Sequence, residues 1–183
     1  PLRGVPSLRQ FMTHTSGYRC GLDLASTANG AAIMPTGWML QATVRQQDVN
    51  FDPGQGQMYC NGGYHLLSRV IEQVSGQPLA QFLEERIFQP LGMHDTELVP
   101  SDHFVVPGLA ALHLPRPEGG WRRGALISEE VLGEGGIVST VDDMLRWLSH
   151  LRRPDRVGSA DSWRQMLDAP VLANGLKSVY ALG

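Results

Sequence analysis

Apolar residues recur at intervals of three and four across Tyr64, Leu67, Val70, Ile71 and Val74, the repeat of an amphipathic helix. The spacing predicts a helix over 62–75, with Ser68, Arg69, Glu72 and Gln73 on its other face. Gly76 ends it, and Pro78 opens the next helix at a first turn, where a missing N–H costs nothing. That second helix carries Leu79, Phe82, Leu83 and Ile87 inward and is expected to stop before Pro90. Nearer the start, Ser7 and Gln10 have the spacing of a capping box, and Leu8, Phe11 and Met12 share the face behind it. Gly17 suits a left-handed cap at the end of that helix. A weaker helical pattern spans 36–47, with Trp38, Leu40 and Val44 partly buried. Thr140 and Asp143 read as another capping pair, and Asp142 and Asp143 favour the positive end of a helix over 140–152. Its buried stripe is expected to be Val141, Leu145, Leu148 and Leu151. A last helix near 161–168 is expected to bury Trp163, Met166 and Leu167 before Pro170.

Strand patterning is sparse. Residues 104–126 place two apolar runs around "RPEGG", which predicts a β-hairpin turning near Gly119-Gly120. "GEGGIVST" follows as a loop entering the helix. No run of alternating strands and helices builds a central sheet, so the expected class is mainly α with a small β-hairpin, in one domain over 1–183.

Bulk properties narrow the picture without naming a function. The chain has 183 residues, 42% hydrophobic and 18% charged, as in a folded protein with a buried core. A formal net charge of -3, with Lys177 the only lysine and the arginines scattered, gives no basic stripe for nucleic acid. No apolar run approaches the roughly 18 residues of a membrane span. The histidines show no metal-ligand spacing, and no cofactor motif is present. Cys20 and Cys60 lack C-x-x-C spacing; two free, partly buried thiols are the expectation, with a single disulfide as the alternative.

The stretch "FDPGQGQMYCNGGYHLLSRVIEQVSG" carries the most chemistry. In extended backbone, side chains two apart point to the same side. Tyr59 and Asn61 therefore face one way and Cys60 the other. With "LRQFMTHTSGY", "FLEERIFQPLGMHDT" and "GEGGIVSTVDDMLRWLSHL" in that order, the chain resembles the serine β-lactamase-related hydrolases over about residues 7 to 151. That group takes in class C β-lactamases, D-alanyl-D-alanine carboxypeptidases, D-aminopeptidases and esterases. The resemblance implies an α+β fold of β-lactamase/transpeptidase type, of which this chain holds the helical lobe and adjoining part, with the central sheet largely missing. It implies acyl transfer to a Ser-x-x-Lys serine, and it maps the Tyr-x-Asn element onto Tyr59 and Asn61. The implied partner is a small-molecule amide or ester: a β-lactam, a D-amino-acid peptide or an ester. No cofactor or metal is implied.

The departures are as plain. No Ser-x-x-Lys occurs: the residue three before Lys177 is Asn174, and Ser16 has Arg19 at that spacing. Arginine cannot take up a proton. Lys177-Ser178-Val179 is no substitute for the family's Lys-Thr-Gly or His-x-Gly strand. The nucleophile is expected upstream of Pro1 and the glycine strand downstream of Gly183, which leaves the chain alone without activity. A non-catalytic helical binding module is the alternative function. Asn61 also suits a helix N-cap. His14 and Ser16 read as turn residues, His14 bonding local backbone, more readily than as triad members. Gly135 and Gly136 serve the sharp entry to a helix. A lobe cut from its sheet exposes an apolar face, through which self-association or pairing with a further segment is open to it. The compartment stays open between the cell envelope, the exterior and the cytoplasm.

Overall fold

Ser7 and Gln10 begin the ordered architecture. In the computed structural model, which describes residues 4–22, 34–124 and 128–183, the Ser7 hydroxyl accepts the Gln10 N–H and the Gln10 side chain accepts the Ser7 N–H. This reciprocal cap opens α1 (Leu8–Met12). The expectations that fall on 23–33 and 125–127 lie outside the described residues. Next come α2 (Trp38–Val44), α3 (Asn61–Ser75) and α4 (Leu79–Leu83). A π-helical turn, Glu84–Phe88, carries α4 into α5 (Gln89–Leu91). Strand β1 (Glu97–Leu98) pairs antiparallel with the distant β4 (Ile137–Val138), with Glu97 opposite Val138 and Leu98 opposite Ile137. Between them β2 (His113–Pro115) and β3 (Trp121–Arg123) form the hairpin, His113 opposite Arg123. Helices α6 (Val141–Arg152) and α7 (Ala160–Leu167) follow. The class is helix-rich with two small sheets among the described residues.

Two apolar clusters hold these elements. Leu79, Leu98 and Leu132 pack with Ile71, Ala80 and Leu83, joining α3, α4 and β1 to the 128–136 loop. Phe88, Leu91 and Met93 pack with Ile87, Trp147 and Val157, joining the π turn to α6. Burying a Leu or Phe side chain contributes about 1.5–3 kcal/mol.

Several expectations from periodicity give way to the structure. Helix α1 ends a full turn before Gly17. Its C-cap is Thr13, and the left-handed residue after it is His14, at φ 56°. Pro90 lies inside α5 instead of stopping the helix; the π turn pairs the Gln89 N–H with the Glu84 carbonyl, and Pro90 follows with no N–H to place.

The buried face of α3 is Gly62, Gly63, His65 and Ser68, while Val74 is 82% exposed. The polar side chains go inward because the 128–136 loop brings partners for them. Ser68 Oγ accepts the Gly133 N–H at 3.0 Å and donates to the Tyr64 carbonyl at 2.8 Å. His65 lies between Glu134 (2.9 Å) and Glu130 (3.4 Å), and Arg69 pairs with Glu130 and Glu72.

Helix α6 shows the same inversion. Val141 is 78% exposed and Leu145 and Leu148 are half exposed, whereas Asp143 and His150 are buried. The Thr140 hydroxyl caps the Asp143 N–H. The Asp143 carboxylate does not reach back to complete a box; it accepts the Asp95 N–H and the Thr96 hydroxyl, each at 2.8 Å, and Arg146 at 2.7 Å. In α7 Trp163 is buried and Leu167 is exposed.

Candidate active site

The segment 13–17, "THTSG", is a rail on which the loop before α3 is hung. Its side chains Thr13, His14, Thr15 and Ser16 are all buried. The Asn50 N–H donates to the Gly17 carbonyl and the Gly54 N–H to the Thr15 carbonyl, both at 2.8 Å. The Met58 N–H donates to the His14 carbonyl at 2.9 Å. The Cys60 N–H donates to His14 Nδ1 at 3.1 Å. Gly17 is required for this approach: its φ is 79°, and a Cβ there would lie 2.0 Å from the Phe51 carbonyl oxygen.

The same economy of space sets the start of α3. A Cβ on Gly62 would meet Thr43 Oγ1 at 2.5 Å, and one on Gly63 would meet the Phe11 ring at 3.2 Å. The two glycines let the first turn press against α2 and α1. The direction in which the preceding residues point is thereby fixed.

Tyr59, Cys60 and Asn61 form that corner. Cys60 is extended (φ -144°, ψ 104°) and buried. Tyr59 is 56% exposed and Asn61 is intermediate. Asn61 is the first residue of α3, not its cap; Cys60 holds the cap position without a capping bond from its side chain, which donates to the Arg19 carbonyl. The Asn61 amide instead donates to Cys20 Sγ at 3.6 Å. Cys20 and Cys60 are free thiols. Hydrogen bonding between them pulls the Cys20 thiol down and pushes Cys60 up, and burial adds to the rise at Cys60.

Aromatic rings surround the corner. The His14 ring lies 4.2 Å from Tyr59, 4.7 Å from Tyr180 and 5.2 Å from Tyr64, centroid to centroid. The Tyr64 hydroxyl lies 2.8 Å from the Met12 carbonyl and 2.7 Å from the Leu182 carbonyl, with one proton to share between them. This ties residues 180–182 to the rail. Burial raises the Tyr59 hydroxyl above the usual phenol value, and Tyr180 and Cys20 add to the rise. Burial lowers His14, keeping it neutral. Tyr59 therefore keeps its proton until a cation is brought to it.

His14 bonds a backbone N–H 46 residues away, where the sequence suggested a local partner. Tyr64, expected only as part of the helical stripe, and Tyr180 join this cluster, and no spacing signal connects either to Tyr59. Ser16 stays a turn residue, its hydroxyl accepting the Tyr18 N–H at 3.3 Å. A groove of about 890 Å³ between α4, β1 and the 106–110 loop includes none of these groups. At the Tyr59 corner a 56% exposed tyrosine stands two residues from the Asn61 amide, which is bonded to Cys20. Among the described residues no cluster of His, Cys, Asp and Glu could hold a metal, and no helix is long and apolar enough to cross a membrane.

The Beta-lactamase family model matches residues 3–180. The chain is similar to the D-aminopeptidase of Brucella anthropi, 31% identical over 196 residues, which cover 97% of this chain and 34% of that protein. It thus spans about a third of the length of the curated relatives it matches. Among solved structures it resembles the penicillin binding protein from Bacillus halodurans (TM-score 0.79, 22% identity, 100% of this chain and 56% of that one). It also resembles a D-stereospecific amidohydrolase from Streptomyces sp. (TM-score 0.74, 18% identity, 97% of this chain and 55% of that one). These likenesses give the fold as that of the penicillin-binding proteins, and the match over residues 3–180 makes the chain a member of the Beta-lactamase family.

Proposed function

We propose that this chain supplies the Tyr-x-Asn wall of a serine acyl hydrolase that cleaves an amide of a D-amino acid. The observation that carries it is the exposed Tyr59 two residues from Asn61, in a segment held by the rail and by the glycine-tight start of α3. Similarity to a D-aminopeptidase and a D-stereospecific amidohydrolase supports the D-amino-acid amide over a β-lactam or an ester.

In the proposed reaction a serine Oγ attacks the amide carbonyl while its proton passes to the Tyr59 oxygen, ionised beside a lysine ammonium. The C–N bond then breaks, and that proton leaves with the amine. Water hydrolyses the remaining acyl-enzyme and returns the serine proton. The lysine ammonium is the cation that would draw the raised Tyr59 hydroxyl toward ionisation. Asn61 both donates and accepts, which suits it to hold the ammonium and the substrate carbonyl. The reaction needs no cofactor or metal. The serine and lysine would come from residues outside these 183, since no Ser-x-x-Lys occurs among them.

The test is hydrolysis by a full-length protein carrying this chain. D-alanine p-nitroanilide should be cleaved faster than its L-isomer, with a fluorophosphonate labelling one serine outside the 183 residues. The 183-residue chain alone should neither cleave nor be labelled. Labelling of a serine within it, or equal turnover of both isomers, would overturn the proposal.

A further inference from the structure

His14 carries two unfavourable features at one position. It is the one non-glycine residue with positive φ among the described residues, at 56°, a conformation in which asparagine or glycine is far more at ease. Its side chain is 1% exposed, and Nε2 has no hydrogen-bond partner among the described residues. Because Nδ1 accepts from Cys60, Nε2 is the nitrogen that bears the proton, a buried donor left unmet. Strain and an orphaned donor concentrated on one residue persist where the surrounding structure uses that residue.

What they secure is local and specific. The His14 carbonyl holds the Met58 N–H, and His14 Nδ1 holds the Cys60 N–H. These are the N–H groups of the two residues on either side of Tyr59. The imidazole ring then lies under the Tyr59 ring, 4.2 Å between centroids. One residue thus grips Tyr59 in three places. Glycine at 14 would relieve the backbone and lose two of the three grips.

We propose that His14 is a positioning residue for Tyr59, fixing the phenol through the paired backbone bonds and the ring platform. This rests on the assignment of Tyr59 to the acyl-transfer corner. A misplacement on the scale of an ångström can cost about a hundredfold in rate, so a three-point grip has a catalytic consequence as well as a structural one.

Two substitutions separate the grips. His14→Asn places an amide oxygen where Nδ1 stands and tolerates the left-handed backbone, so it keeps the Cys60 bond and loses the ring. His14→Phe keeps a ring and loses the acceptor. Amide hydrogen exchange reads the grip without reference to catalysis. In His14→Phe the Cys60 amide should exchange about tenfold faster, as for one lost hydrogen bond, while Met58 stays protected; in His14→Asn both stay protected. Unchanged Cys60 exchange in His14→Phe would overturn the grip.

Turnover of D-alanine p-nitroanilide by the full-length protein reads its consequence. Both variants should lower kcat by about tenfold to a hundredfold with KM little changed, and neither should lower it further in a Tyr59→Phe background. A fall that simply multiplies with that of Tyr59→Phe would assign His14 a general structural role and overturn the proposal. If Tyr59→Phe alone left turnover unchanged, the functional assignment itself would fail, while the exchange of Cys60 would still decide whether His14 holds the segment.

Discussion

Gly17→Ala tests whether the rail and the loop are in contact as closely as the structure has them. Two costs arise. The first is conformational: φ is 79° at Gly17, and a side chain in left-handed backbone costs about 1–2 kcal/mol. Stiffening of the unfolded chain offsets about 0.4–1 kcal/mol of that. The second is steric, since the new Cβ would stand 2.0 Å from the Phe51 carbonyl oxygen. Backbone cannot rotate aside as a side chain does, so the loop must shift, at about 1–3 kcal/mol. Gly76 separates the two costs: it caps α3 at φ 71°, and its Cβ would meet nothing within 4 Å. Gly76→Ala should therefore cost about 1 kcal/mol and Gly17→Ala about 2–4 kcal/mol. Urea unfolding followed by circular dichroism measures both. Equal costs would refute the close approach of Gly17 to Phe51.

Asp143→Ala should destabilise by about 1–3 kcal/mol, because it strands the Asp95 N–H and leaves the Thr96 hydroxyl with Ser139 alone; a loss under about 0.5 kcal/mol in the same urea assay would count against the buried network. Burial alone would raise the Asp143 carboxyl, but the bonds from Thr96, Asp95 and Arg146 outweigh it and hold it below the usual carboxylate value. Its contribution is therefore present above the unfolded value of about 3.9 and lost as pH falls through the lower folded value, so Asp143→Asn should flatten acid unfolding in that window. The half-exposed apolar residues Leu145 and Leu148, with Val141, form a face on α6, and the isolated chain should self-associate through it; sedimentation should show oligomers that Leu145→Lys with Leu148→Lys dissociates. A monomer at all concentrations would remove that expectation.

Local grammar was legible where backbone groups are satisfied by near neighbours. The Ser7–Gln10 box, the Thr140 cap and Gly76 at the end of α3 all stand where spacing put them. Periodicity failed at α3 and α6 for one reason. Ser68, His65 and Asp143 are polar in the sequence, yet partners from the 128–136 loop and from residues 95–96 meet them in the interior. No window of consecutive residues holds that information. The extended backbone at Cys60, just ahead of the helix, was readable. The bond from Cys60 to His14, the strain at His14 and the approach of Tyr180 were not, because each joins segments dozens of residues apart.

The central claim is that Tyr59 belongs to the proton path of an acyl-transfer site. Tyr59→Phe removes one exposed oxygen and leaves the ring on His14. In the full-length protein, kcat for D-alanine p-nitroanilide should fall by about 10²–10⁴ with the unfolding midpoint unchanged. A turnover number equal to that of the unsubstituted protein would contradict the account.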